Sequence, residues 1–166
     1  MAADNETPAV RGPISSENIA WESWSEGTRF GSRARHLTSA AVGQDYHVGM
    51  VIEELAPGMQ SCLAHYHMLE EEHALILEGQ MTLRLGDQTY EMKAGDYVCF
   101  PAGQKAGHCF VNNSNAVCRF LMIGENNKNE VTVHTDSNKI NVRPLGRGHI
   151  YDKANTKAYW DGETTT

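Results

Sequence analysis

Three histidines surround three consecutive glutamates in HYHMLEEEHALILEG, residues 65–79. His65 and His67 are two positions apart. In a strand they project to one face, roughly 7 Å apart along the chain, so both imidazoles can reach one cation. Nearby carboxylates strengthen the reading, because mixed nitrogen and oxygen donors suit first-row divalent metals. A third imidazole must come from elsewhere in the sheet. His108, in PAGQKAGHCFVNN, is the best placed, at the start of a strand just after a Pro/Gly turn. Such a centre polarises a carbonyl or hydroxy-carbonyl, generates a nucleophilic hydroxide, or, with a redox metal, binds dioxygen beside an enolate. Strand phasing leaves open which of Glu70, Glu71 and Glu72 joins it, since both faces of the following segment are apolar. Glu71 would bring His73 onto the same face and crowd the site.

These residues need a scaffold of strands, and the chain has its rhythm. From Tyr46 to Glu125, short apolar segments such as YHVGMVIEEL, HALILEG and AVCRFLMIGE alternate with turn signals at Pro57-Gly58, Gly86-Asp87 and Gly95-Asp96. That is the pattern of an antiparallel sandwich or barrel, and no long helical apolar stripe interrupts it. An all-β fold is expected, with its barrel core over about 46–125 inside a single domain of 19–166. Residues 1–18, polar and broken by Pro and Gly, read as a flexible N-terminal arm. IAWESWSEGTRFGSRARHL reads as an amphipathic start and a short strand. Its Arg29, Arg33 and Arg35 fit an exposed strand face better than an anion site. The C-terminal extension, 126–166, carries one alternating piece, Val131 to His134. It is expected to wrap over the barrel with Tyr151, Tyr159 and Trp160 as anchors and a frayed final TTT.

Composition limits the setting. A chain of 166 residues is sized for one domain with its own core, and 40% hydrophobic with 21% charged residues is ordinary for a globular protein. No apolar run approaches the roughly 20 residues of a membrane span, and the first 30 residues hold no signal-peptide core. A cytoplasmic location, away from membranes, is expected. The net charge of -7 repels phosphate backbones and argues against nucleic acid. Cys62, Cys99, Cys109 and Cys118 include no CxxC pair and read as reduced, buried, small hydrophobes. Cys62 stands three residues before His65, near enough in sequence to bear on the same centre.

Two spaced motifs resemble those of the cupin superfamily. The first is Gly58, His65, His67, Glu72 and Gly79, with six residues between Glu72 and Gly79; its first gap is one residue longer than usual. The second is Gly95, Pro101, Gly103, His108 and Asn112, with four residues instead of two between Gly103 and His108. Together they cover about 55 residues. The resemblance implies a cupin double-stranded β-helix, a jelly-roll-like barrel, with His65, His67, Glu72 and His108 as ligands of one divalent ion (Zn, Ni, Mn or Fe). It is the family spacing that selects Glu72. The chain also resembles a narrower group of single-domain bacterial cupins. They share the Trp-containing leading segment, EEE, RLGD, the longer gap before His108 and the closing YWDGE. That group is labelled sugar-phosphate-isomerase-like, although a fold does not supply a reaction.

The resemblance implies a metal-dependent enzyme with isomerase, epimerase or lyase chemistry on a small oxygen-rich, sugar- or hydroxy-acid-like substrate. An iron-dependent dioxygenase and a non-catalytic metal-dependent small-molecule binding protein are the alternatives. No organic cofactor is expected, and no catalytic residue is assigned. Tyr66, Glu70, Glu71, His73 and Tyr97 lie near the motifs, but Tyr66 is out of phase with the ligands and Glu70 and Glu71 read as solvent-facing turn residues. Proteins resembling cupins pair through their sheets, and an open edge needs cover, so a homodimer is expected.

Overall fold

The computed structural model describes residues 11–146 and 148–164. Most of the expected arm, residues 1–10, and the end of the TTT tail lie outside the described residues. The strands are β1 (Glu22–Glu26), β2 (Phe30–His36), β3 (Val48–Leu55), β4 (His65–His67), β5 (Glu72–Glu78), β6 (Gln80–Leu85), β7 (Gln88–Lys93), β8 (Tyr97–Phe100), β9 (His108–Val111), β10 (Cys118–Glu125), β11 (Val131–His134), β12 (Lys139–Val142) and β13 (Ile150–Asp152). A short helix, α1 (Leu37–Val42), joins β2 to β3. Six residues are too few to show a helical stripe, which is why the pattern of apolar residues does not announce it.

The strands form two antiparallel sheets, ordered β1-β2-β3-β10-β5-β8 and β13-β12-β11-β4-β9-β6-β7. They close on each other as the double-stranded β-helix expected from the motifs. Alternation decides what faces inward. On β5, Ala74 and Ile76 are buried while Leu77 between Ile76 and Glu78 is exposed; on β10, Cys118 and Phe120 are buried while Arg119 is exposed. Leu55, Ile76, Met81, Leu83, Phe110 and Phe120 form the apolar core, with the rings of Phe110 and Phe120 5.4 Å apart. Gly79 makes the β5–β6 turn at φ 79°, and a Cβ there would lie 2.8 Å from the carbonyl oxygen of Val117, so backbone passes where a side chain would stand.

The N-terminal segment is built into the sheet. Trp21 packs under Arg33 and Arg35 with their guanidinium carbons 4.7 and 4.4 Å from its ring, Arg35 pairs with Glu17, and Arg33 and Arg119 clamp the buried carboxylate of Glu54. Arg29 donates to Gln60. All three arginines of the sequence cluster are thus engaged within the chain itself. The C-terminal extension differs from the expected wrap. It adds strands to the sheet, with β11 pairing to β4, β12 to β11 and β13 to β12. Among the described residues, Tyr159 and Trp160 have no surface beneath them to anchor. They are 85% and 65% exposed and pack edge-on against each other. Edge satisfaction explains the outcome: β4 offers unpaired backbone groups beside the histidines, and hydrogen bonds to them stabilise the extension better than two aromatic contacts would. No helix among the described residues is long and apolar enough to cross a membrane.

Candidate metal centre

β4 carries His65 and His67 on one inward face, and His65 pairs across to His108 at the start of β9. Glu72 begins β5 on the opposite sheet and pairs with Gly124. A Cβ on Gly124 would lie 3.2 Å from Glu72 Cγ and 3.3 Å from its Oε1, so the missing side chain leaves the carboxylate its room. The geometry brings together His65, His67, Glu72 and His108. His65 Nε2 lies 3.1 Å from His67 Nε2, His67 Nε2 3.3 Å from Glu72 Oε2, and His108 Nε2 3.2 Å from the same oxygen. Glu71, by contrast, is exposed and pairs with His73, whose Nδ1 meets the Tyr97 hydroxyl at 2.7 Å. Tyr66 alternates away from the two histidines, as the phase of the strand requires.

The donor set fits a first-row divalent ion. Adjacent ligand atoms bound at about 2.1 Å are separated by roughly 3.0–3.4 Å in octahedral or tetrahedral arrangements. The three spacings fall inside that range. Contacts behind the three rings keep Nε2 pointing inward. His65 Nδ1 donates to the carbonyl of Leu63 at 2.8 Å, and the His108 ring stacks on Phe100 with centroids 3.8 Å apart. His67 Nδ1 sits 3.3 Å from Glu70 Oε2 and 3.4 Å from Glu130 Oε1. A carboxylate behind a ligand imidazole orients the ring and raises its basicity. Glu130, 1% exposed, accepts the backbone N–H groups of Met68, Leu69 and Glu70, while Arg143 and the N–H of Asn127 hold Glu70.

Electrostatics divide the cluster. Burial opposes a charge on His67, yet hydrogen bonds to Glu70 and Glu72 and the charges of Glu72 and Glu130 outweigh it and lift its pKa to about 10. Burial pushes His65 down to about 4, aided by the imidazole of His108. Burial likewise works against ionising Glu72, but bonds and charge from His108 and His67 hold its carboxyl well below the usual range. Cys62 does not join the donors: its Sγ is 3.7 Å from His65 Nδ1, and burial drives the thiol up to about 12, far from the thiolate a metal needs. All four cysteines are free, as a reduced chain requires. Cys109 and Cys118 are buried, whereas Cys62 and Cys99 are only half-buried, short of the expectation.

Several residues around the site were missed by sequence reading. Glu70 is buried and ion-paired, not a solvent-facing turn residue, because Arg143 folds back across some seventy positions to neutralise it. Glu130 carries no local signal at all. Glu53 did carry one: two adjacent glutamates in the apolar strand VIEEL must face opposite sides, so one of them points inward. It is Glu53, on the face of the fully buried Leu55. Burial lifts its carboxyl to about 7, against a bond from Ser32 that lowers it, and the charge of Glu72 adds to the rise. A cavity of about 470 Å³ opens above His65 and His67, bounded by the β1–β2 hairpin on one side and by β11 and β12 on the other.

A barrel of two antiparallel sheets with three imidazoles and a carboxylate converging inside it defines the class. Residues 51–124 match the family model described as the cupin domain. Among solved structures it is similar to a sugar phosphate isomerase of the cupin superfamily from Silicibacter pomeroyi, 25% identical, with a TM-score of 0.74 over 90% of this chain and 98% of that one. It is also similar to a protein from Acidithiobacillus ferrooxidans whose name gives sugar phosphate isomerase as a provisional assignment, 28% identical, with a TM-score of 0.71 over 77% and 80% of the two chains. A predicted oxalate decarboxylase from Thermotoga maritima is 25% identical, with a TM-score of 0.60 over 69% and 98%. No curated protein sequence matches the chain.

Two carboxylates near the converging histidines can be tested by removing their charge. Glu130→Gln removes the charge behind His67 and is expected to weaken divalent-ion affinity about 10–100-fold, read by competition with a chromophoric chelator; unaltered affinity would discard the orienting role. Glu53 concerns the metal-free protein. Its folded carboxyl keeps a proton up to about pH 7, whereas the unfolded one loses it near 4.5. The folded state therefore binds the extra proton between these values, and stability falls as pH rises through that window. Glu53→Gln should match wild type at pH 4 and exceed it at pH 8 by up to about 3 kcal/mol in urea unfolding. Parallel profiles for the two proteins would refute the assignment.

Proposed function

We propose that this protein is a metal-dependent enzyme acting on a small oxygen-rich substrate by isomerase, epimerase or lyase chemistry, with His65, His67, Glu72 and His108 holding one divalent ion. The observation that carries the reading is the meeting of three imidazoles and one carboxylate beside an open cavity, with three pairs of their donor atoms 3.1–3.3 Å apart. The names of the Silicibacter and Acidithiobacillus proteins support the isomerase class. A divalent ion bound there supplies Lewis acidity to a carbonyl or hydroxyl oxygen. The chain supplies the rest. Glu70 and Glu130 keep the His67 ring aimed inward, and the barrel walls limit water.

The other partner is a second copy of the chain. The outer face of the β1–β8 sheet supports a homodimer, because Met50, Leu77 and Tyr97 stand 41%, 42% and 60% exposed on it. Free thiols support a reducing, cytoplasmic setting, and the charge of -7 supports a small-molecule ligand over nucleic acid or an anionic membrane surface.

Metal analysis of protein purified without added metal is the deciding measurement. Zinc, nickel or manganese near one per chain, without oxygen uptake, is the expected result. Iron together with stoichiometric oxygen consumption on catechols or small diketones would instead make it a dioxygenase. His67→Ala should lose most of the bound metal, and unchanged metal content in that variant would remove the ligand set and the proposal with it. Light scattering should give twice the chain's 18.4 kDa; the single-chain mass would overturn the dimer.

A further inference from the structure

The cavity above His65 and His67 has two unlike walls. On one side stand Trp24, Phe30 and Leu63. Trp24 and Leu63 remain 47% and 39% exposed, and the Trp24 indole is fixed by a 3.0 Å hydrogen bond from Nε1 to Ser32 Oγ. Apolar surface of this kind, held rigid beside a chemical centre, is the wall against which a ring or branched alkyl group packs. On the other side, β11 and β12 bring His134 and Asn141, whose Nδ1 and Oδ1 are buried without a hydrogen-bond partner among the described residues. Buried polar atoms left this way call for a polar group to complete them.

Charge narrows the choice. Glu26 lines the cavity, and none of the described lining residues is a lysine or arginine. A phosphate dianion would meet a carboxylate there and lack the cationic fork that such groups favour. A single carboxylate with a neighbouring hydroxyl differs, because both oxygens can be directed at the ion held by His65 and His67.

Resting on the reading of the site as a metal centre, we infer that the substrate is a 2-hydroxy or 2-oxo monocarboxylate bearing an aromatic or branched apolar group, and not a phosphorylated sugar. The chelating head lies toward the histidines, the apolar body lies along Trp24, Phe30 and Leu63, and the wall of β11 and β12 meets the polar edge.

Calorimetric titration of the zinc-loaded full chain with mandelate, lactate and glucose 6-phosphate tests this. Mandelate and lactate share one chelating head and differ in phenyl against methyl. Mandelate is expected to bind at least tenfold tighter than either of the others. Trp24→Ala should shrink the mandelate advantage over lactate to below threefold with zinc content unchanged. Leu63→Ala should act in the same direction and serves where the tryptophan variant folds poorly. Equal binding of mandelate and lactate, or tighter binding of glucose 6-phosphate, by a chain that holds zinc overturns the inference and leaves the metal centre standing. A chain that takes up neither zinc, nickel nor manganese overturns the metal-centre reading and, with it, this inference.

Discussion

Forcing three imidazoles and a carboxylate to within 4.8 Å of one another inside an apolar barrel is the constraint on which the rest depends. Polar atoms so placed lose water, and the cluster persists only if charge and hydrogen bonds compensate. The compensation is visible in layers. Glu72 draws His67 and His108, Glu70 and Glu130 stand behind His67, and Arg143 neutralises Glu70. Beneath lies the dry core of Leu55, Ile76, Phe110 and Phe120, whose burial offsets the cost of holding the polar end together.

The cupin domain and its extension divide the labour. All four converging side chains lie within residues 51–124. What holds His67 from behind comes largely from outside that span, from Glu130 just before β11 and Arg143 just after β12. The same extension supplies His134 and Asn141 to the cavity wall, while the opposite wall belongs to the β1–β2 hairpin. A generic barrel thus presents the donors, and the segments before and after it shape what can approach them.

Much of the fold was legible because strand structure has a short period. Alternation and turn residues marked the barrel strands from Val48 to Glu125 and picked out Val131–His134 residue for residue. His65 and His67 were tied to one face by the same period. His108 was joined to them by the turn before it, and Glu72 was singled out from three glutamates by family spacing rather than by any local rule. The structure turns Glu72 inward and Glu71 out to His73. The aromatic anchors of the tail misled because aromatic content signals burial only where a partner surface exists. For Tyr159 and Trp160 none lies beneath among the described residues.

By itself, the sequence determined the strand rhythm and the shared face of the HxH pair, since both follow from neighbours a few positions apart. Only the tertiary structure decided that Glu130 and Arg143 return to the histidines, that Glu70 is buried, and that the cavity has one apolar and one polar wall. Those outcomes depend on which strands become hydrogen-bonded neighbours across sixty or more residues. Such pairing is settled by closing two sheets on a common core, and no local period encodes it.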